Sequence, residues 1–155
     1  NAHYERYKGP AGAKSRAEVL ASYGEQIDAA YAFSVFTHID VHDFVDLLRF
    51  VGLLLKPGGY FLFTVFALTP FSRHHIADGK TVVPLIKRRY EDGDTVLIGN
   101  TDDRLAFIGY DMVRLEHMIV QAGLIPSAIE YGDWRGDGFS ATFQDVILCR
   151  KPLVK

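Results

Sequence analysis

The chain has 155 residues, a net charge of −2 at pH 7 and a hydrophobic content of 48%. This length and composition predict one globular domain with a packed core. The near-neutral charge creates no overall field that attracts nucleic acid, so we expect no nucleic-acid partner. The chain holds one cysteine, Cys149, which cannot form an internal disulfide and therefore favours a reducing compartment.

The sequence indicates no membrane or targeting segment. No run approaches the roughly 20 apolar residues that a membrane-spanning helix requires. Residues 1–25 are polar and lack the apolar segment of a signal peptide. We therefore expect no membrane partner and a cytoplasmic location. The chain begins at Asn1 rather than at a methionine, so we also expect it to be a piece of a longer protein.

The first half of the chain has the pattern of a strand, a helix and a second strand. Residues 1–26 are rich in glycine, alanine and charge and are predicted to form a connector with one short helix. Ile27 to Val35 is apolar on both faces, which is typical of a central parallel strand. Asp40 is a suitable N-cap for a helix whose apolar residues recur at helical spacing. After the turn at 56–59, Tyr60 to Leu68 is predicted as the next strand.

The second half predicts an insert followed by a helix and two strands. Residues 69–109 have a looser pattern and are predicted to contain a hairpin over 87–99. A helix is predicted over 110–123, with strands over 126–131 and 142–150. Helices between strands favour a parallel α/β sheet, whereas the last two strands, which no helix separates, predict an antiparallel end. We expect a single domain over 1–155 with a sheet of four or five strands.

Two motifs are separated by the length of one helix. Ser-Val-Phe-Thr-His occupies 34–38, and Leu-Lys-Pro-Gly-Gly occupies 55–59. With Tyr-Gly-Asp-Trp-Arg-Gly at 131–136, they resemble the C-terminal half of a class I S-adenosylmethionine-dependent methyltransferase. The resemblance implies an α/β fold: a partial Rossmann-like methyltransferase sheet of the last four strands, with the final strand antiparallel and helices on both faces. The glycine-rich cofactor loop and the acidic residue that holds the ribose would precede Asn1.

The resemblance also implies which residues face the cofactor, S-adenosylmethionine. Ser34, Val35 and Phe36 correspond to positions beside its methionine part, and Asn1 and Ala2 to positions near its adenine. The alternative for 34–36 is a strand end that only packs against its neighbours. Because the glycine-rich loop is missing, we expect this chain alone to bind S-adenosylmethionine weakly or not at all.

His38 is the candidate catalytic residue. An imidazole acts as a general base at neutral pH, and methyl transfer to a hydroxyl gains from removal of its proton. His38, Thr37 and Trp134 are also predicted to line the substrate side, for a small-molecule or glycan-like acceptor. The alternatives are a backbone hydrogen bond for His38, packing for Trp134, and a transfer that works by positioning without any base. No set of metal ligands is marked, so we expect no metal site.

Two classes of function remain open. The first is a methyltransferase of which this chain is the substrate-side half. The second is a non-catalytic binding or assembly module on a reduced methyltransferase fold. A nicotinamide oxidoreductase fragment has no motif in its favour. The missing strands would leave one edge of 27–35 open, so we expect a homo-oligomer formed through this edge.

Overall fold

The computed structural model describes residues 14–90 and 93–153. The helices are α1 (Arg16–Tyr23), α2 (Val41–Leu54), α3 (Pro70–Ala77) and α4 (Met112–Gln121). The strands are β1 (Ile27–Ala32), β2 (Leu55–Leu68), β3 (Ile86–Tyr90), β4 (Gly93–Ile98), β5 (Ile108–Asp111), β6 (Ile125–Glu130) and β7 (Asp145–Arg150). Two short 3-10 turns occupy Phe36–His38 and Asp133–Arg135. None of the helices within the described ranges is long and apolar enough to cross a membrane.

One mixed sheet organises the chain around the long strand β2. The strand order is β3-β4-β5-β2-β7-β6, and β1 also pairs with β2. β1 runs parallel to β2, and β7 runs antiparallel to it. The predicted parallel pair and the predicted antiparallel last strand are therefore confirmed. β5 pairs in parallel with 66–68, the final residues of β2.

Within the described residues the sheet has seven strands, so the prediction of four or five is wrong. The additional strands come from the segment that was predicted as an insert. β3 and β4 form an antiparallel pair over the predicted hairpin, and β4 joins the sheet through β5. β5 has four residues, which is too short for a periodic pattern, and its last residue, Asp111, is also the N-cap of α4.

Helices cover both faces of the sheet, as the resemblance implies. Side chains alternate along β2, so its odd-numbered and even-numbered residues enter different cores. The first core is built from β2, β7, α2 and α4, and includes Phe44, Leu48, Phe61, Phe63, Val65, Leu115, Ile119, Ile147 and Cys149. The second core contains Phe66, Leu68, Ile76, Val83, Leu85, Leu97 and Trp134, so it takes in α3 and the second 3-10 turn.

β1 is shorter than predicted, and only one of its faces is covered. It ends at Ala32 rather than at Val35. Ala30 and Ala32 pack against the first core, whereas Tyr31 on the opposite face is 76% exposed. The strand is apolar on both faces, but within the described residues a helix covers only one of them, so the second face at this strand is exposed. The uncovered surface continues onto β2, where Tyr60 is 44% exposed.

Candidate functional site

The carboxyl end of β1 carries a polar cluster of Ser34, Thr64 and Gln144. The backbone N–H of Ser34 donates to Thr64 Oγ1 over 2.8 Å. The hydroxyls of Ser34 and Thr64 both donate to Gln144 Oε1, over 3.2 and 2.5 Å. Ser34 has a φ of +54°, a left-handed conformation that a residue with a Cβ adopts only at a cost. Strained backbone held by surrounding hydrogen bonds is characteristic of functional sites.

A cavity of about 300 Å³ opens beside this polar cluster. It is lined by Phe33, Ser34, Thr64, Thr142, Phe143, Gln144 and Val146. None of these residues carries a charge, so the lining combines two phenyl rings with hydroxyl and amide groups. Such a surface suits a neutral ligand that offers both an apolar face and hydrogen-bonding groups.

His38 lies close to this end of the sheet and is held by one backbone contact. Its Nδ1 is 2.9 Å from the carbonyl oxygen of Leu105. A carbonyl only accepts, so Nδ1 carries the hydrogen, and the neutral ring keeps its lone pair on Nε2. In this tautomer Nε2 is the nitrogen that can accept a proton. His38 does not line the cavity, and its ring centroid is 6.0 Å from that of Phe107.

The remaining residues predicted for the loop divide between surface and interior. Val35 is 39% exposed, whereas Phe36 is fully buried, with its ring 4.5 Å from that of Phe44. Thr37 is also fully buried, and its hydroxyl has no hydrogen-bond partner within the residues that the structure describes. Phe36 therefore anchors the loop in the first core, while Ser34, Val35 and His38 stay nearer the surface. Their roles toward a ligand remain predictions.

Trp134, predicted on the substrate side, is fully buried in the second core. Its ring stands edge-on to Phe66 at 5.2 Å, and its Nε1 donates to Asp145 Oδ2 over 2.7 Å. This position matches the packing alternative, and a contact with substrate stays a prediction. Asn1 and Ala2, predicted near the adenine, lie outside the described residues.

Asp145 ties three segments together beneath the site. Besides Trp134 Nε1, it accepts from the backbone N–H of Ala67 over 2.6 Å and of Gly132 over 2.7 Å. Burial raises the pKa of this carboxyl to about 6, and the three N–H donors offset only part of that effect. Because Asp145 begins β7, this anchoring also fixes the neighbouring Gln144 against Thr64.

The raised pKa of Asp145 predicts a pH-dependent stability. The folded-state pKa of about 6 lies above the reference value of 3.8, so the fold favours the protonated form. This contribution is fully present below pH 3.8 and is lost as the pH rises through 6. We expect the wild type to lose on the order of 3 kcal/mol relative to Asp145→Asn across this window. Urea unfolding of both proteins at several pH values measures the difference. A constant difference would contradict the prediction.

Sequence reasoning missed Thr64, Phe143 and Gln144 as site residues. The sequence does single out Thr64: after Tyr60, it is the one residue with a hydroxyl group in the apolar run that ends at Leu68. Gln144 and Phe143 follow a loop and reach the carboxyl end of β1 only through the antiparallel pairing of β7 with β2. That juxtaposition belongs to the tertiary structure.

Comparisons with known proteins agree with this arrangement. No protein-family model matches the chain. Among solved structures, the Burkholderia thailandensis 1,6-didemethyltoxoflavin-N1-methyltransferase, with bound 1,6-didemethyltoxoflavin and S-adenosylhomocysteine, aligns with a TM-score of 0.53 at 18% identity. The alignment covers 83% of this chain and 45% of that one. An S-adenosylmethionine-dependent methyltransferase from Methanosarcina mazei aligns with a TM-score of 0.53 at 15% identity, over 85% of this chain and 62% of that one.

The two matched structures agree on the fold, and both extend well beyond the aligned region. This chain spans 45% of one and 62% of the other, or about half of their length. The β1-β2-β7-β6 part of the sheet, with β7 antiparallel, is the arrangement that the motifs at 34–38 and 55–59 predicted. The chain has the fold of the class I S-adenosylmethionine-dependent methyltransferases.

Proposed function

We propose that this chain is the substrate-side part of an S-adenosylmethionine-dependent methyltransferase. The observation that carries the proposal is the strained, hydrogen-bonded cluster of Ser34, Thr64 and Gln144 at the carboxyl end of β1. In open α/β sheets, ligands bind beyond the carboxyl ends of the parallel strands. A methyltransferase fold with a preorganised polar cluster at this position supports a reaction site there.

The acceptor that fits the cavity is a small neutral molecule with a hydroxyl group, which includes a glycan-like one. Phe33 and Phe143 offer apolar faces, while Gln144 and Thr142 offer hydrogen-bonding groups. An anionic acceptor would find no cationic side chain among the lining residues. The Burkholderia protein, which is bound to 1,6-didemethyltoxoflavin, supports an acceptor of small-molecule size.

S-adenosylmethionine, when bound, supplies a methyl group carried on a positively charged sulfur. The neutral, oxygen-rich surface of Ser34, Thr64 and Gln144 fits such a group, because it presents dipoles without a competing cation. Because His38 does not line the cavity, the acceptor hydroxyl has to extend beyond it toward the loop at 36–38. There His38 Nε2 receives the proton that the hydroxyl loses, and the contact of Nδ1 with the Leu105 carbonyl keeps Nε2 free of hydrogen. Phe36 holds the loop in place by packing into the first core.

Replacement of His38 tests this function in the longer protein that includes a cofactor loop. We expect His38→Ala to lower kcat for methyl transfer by about 10²–10⁴-fold, because the proton loses its acceptor. His42→Ala is the matched control: it lies four residues further along the chain, in the first turn of α2, its side chain is 85% exposed, and its partners are Asp43 and Asp46. Transfer of a labelled methyl group measures both.

The outcomes separate the two classes of function. A loss confined to His38→Ala supports the methyltransferase with a general base. Equal rates in both variants would contradict the role of His38 and favour transfer by positioning alone. Bound S-adenosylmethionine without any methyl transfer, across neutral hydroxyl compounds, would favour the non-catalytic binding module.

A further inference from the structure

The loop that joins β4 to β5 contacts the turn that carries His38. The carbonyl oxygen of Leu105 in this loop lies 2.9 Å from His38 Nδ1, and the ring centroid of Phe107 lies 6.0 Å from that of His38. Arg104 adds an ion pair over 3.6 Å with Asp40, the N-cap of α2. The loop is therefore attached to the His38 turn and to the start of α2 at three points, and none of them involves β1.

Gly99, the first residue of this loop, sets the position of Phe107, the last one. Gly99 N donates to the Phe107 carbonyl over 2.8 Å and closes the loop. A Cβ on Gly99 would lie 2.8 Å from Phe107 Cβ and 3.0 Å from Cδ2, which is closer than side chains pack. The missing side chain therefore lets the phenyl ring lie against the backbone at this point. Phe107 is 37% exposed, so part of it is accessible to a ligand beside His38.

Phe107 also belongs to a row of aromatic rings that connects His38 with the cavity. The ring centroid of Phe66 lies 6.3 Å from that of Phe107 and 6.4 Å from that of Phe143. Phe66 is buried in the second core and supports both neighbours, whereas Phe143 lines the cavity and is 50% exposed. An acceptor that extends from the cavity toward His38 therefore lies along phenyl rings, which offer it no hydrogen-bonding group.

We propose that Phe107 stacks on the acceptor and that the acceptor is a planar aromatic compound with a hydroxyl group. This inference rests on the proposed methyl transfer to a hydroxyl at the same site. Aromatic compounds pair favourably with phenyl rings in offset or edge-to-face arrangements. A sugar carries hydroxyls around most of its ring, and those beside the phenyl row would lose their hydrogen bonds to water without replacement. A planar aromatic acceptor leaves only its one hydroxyl to be satisfied.

The chemistry of a phenolic hydroxyl agrees with a histidine as the proton acceptor. Such a hydroxyl has a pKa of about 10 and loses its proton more readily than an aliphatic hydroxyl does. His38 Nε2 is the ring nitrogen without hydrogen, because Nδ1 donates to the Leu105 carbonyl. Stacking on Phe107, whose ring neighbours that of His38, brings the acceptor hydroxyl toward this nitrogen.

Two compounds with the same carbon skeleton test the preference for a planar ring. Naphthol is planar, whereas decahydronaphthol, with its hydroxyl on the same carbon, is saturated and puckered. We expect the chain to bind naphthol about 3–10-fold more tightly, because only naphthol gains the ring contacts. Titrations followed by amide NMR measure both affinities, and the shifts caused by naphthol should centre on His38, Phe107 and Phe143.

Variants of Phe107 test whether this ring causes the preference. Phe107→Leu keeps an apolar side chain but removes the ring, so it should abolish most of the preference for naphthol. Phe107→Tyr keeps the ring and should retain the preference. Phe71→Leu is the matched control and should also retain it, because Phe71 is 44% exposed on α3 and its ring contacts His75 and Arg135. Thermal unfolding of each variant checks that the fold is kept.

The outcomes separate this inference from the proposed function. Equal affinities for the two compounds, or a preference that Phe107→Leu leaves unchanged, would overturn the inference. Methyl transfer by the longer protein to saturated alcohols as fast as to phenols would also overturn it, while supporting the methyl transfer itself. A preference for naphthol that depends on Phe107, in a longer protein that transfers no methyl group, would support aromatic binding and contradict the proposed reaction.

Discussion

Asp145→Ala is expected to destabilise the fold by about 3 kcal/mol or more below pH 6, where the buried carboxyl group of the wild type is largely protonated. This group accepts three hydrogen bonds, from Ala67, Gly132 and Trp134, and its side chain is fully buried. Alanine would leave three buried N–H donors without an acceptor, and each such loss costs about 1–3 kcal/mol before relaxation. Because the donors belong to β2, to the loop after β6 and to the second core, all three segments would loosen together.

Asp46→Ala provides the comparison for this effect. Asp46 lies on the surface of α2, with a side chain that is 38% exposed and ion-pair distances of 3.7 Å to His42 and 3.9 Å to Arg49. Exposed pairs of this kind contribute about 0–1 kcal/mol. Urea unfolding of both variants should therefore differ by at least about 2 kcal/mol. Equal unfolding free energies would show that Asp145 does not hold the three segments together.

Gly136→Ala is expected to be the second severe substitution, and Gly138→Ala the mild one. Both glycines have left-handed backbones, with φ of +76° and +72°. A Cβ on Gly138 meets open space, so that variant pays only the conformational cost of about 1–2 kcal/mol. A Cβ on Gly136 would overlap the backbone carbonyl oxygen of Lys80. We expect Gly136→Ala to lose about 1–3 kcal/mol more than Gly138→Ala, because the backbone has to move.

The overlap between a Cβ on Gly136 and Lys80 would also affect the loop that carries Trp134. The loop after β6 is fastened to the residues that follow α3 by a hydrogen bond from Val82 N to the Trp134 carbonyl, 2.9 Å long. Displacing Gly136 would strain that bond and the burial of Trp134. Unfolding of the two glycine variants in urea, with Trp134 fluorescence as the probe, measures both effects. Similar losses in the two variants would show that the loop has room to shift away from Lys80.

Regular spacing of apolar residues predicted the helices and strands that bury one continuous apolar stripe. α2 was predicted because Asp40 is a suitable N-cap and because apolar residues such as Phe44 and Leu48 recur at helical spacing. In the structure Asp40 accepts a hydrogen bond from Val41 N over 2.6 Å, and both apolar side chains are buried. The pairing of β1, β2 and β7 followed from the order of helices and strands. These features depend on short-range spacing, which a sequence displays directly.

Features that depend on residues far apart in the chain could not be predicted from the sequence. Whether Tyr31 is buried depends on what covers the second face of β1, and the residues of β1 do not encode this. The left-handed conformation of Ser34 occurs without a glycine, and it is held by Thr64 and Gln144, which are 30 and 110 positions away. The three donors to Asp145 likewise come from segments that only the folded sheet brings together.

We propose that the carboxyl end of β1 faces the methionine part of the cofactor and that this chain alone forms an incomplete cofactor site. Titration of the isolated chain with S-adenosylmethionine, followed by amide NMR shifts, tests it most directly. We expect shifts confined to the amides of Ser34, Val35 and Thr64, in fast exchange and unsaturated at micromolar ligand. Saturation at micromolar concentration would contradict the incomplete site. Shifts that cluster elsewhere, or that are absent at millimolar ligand, would contradict its location.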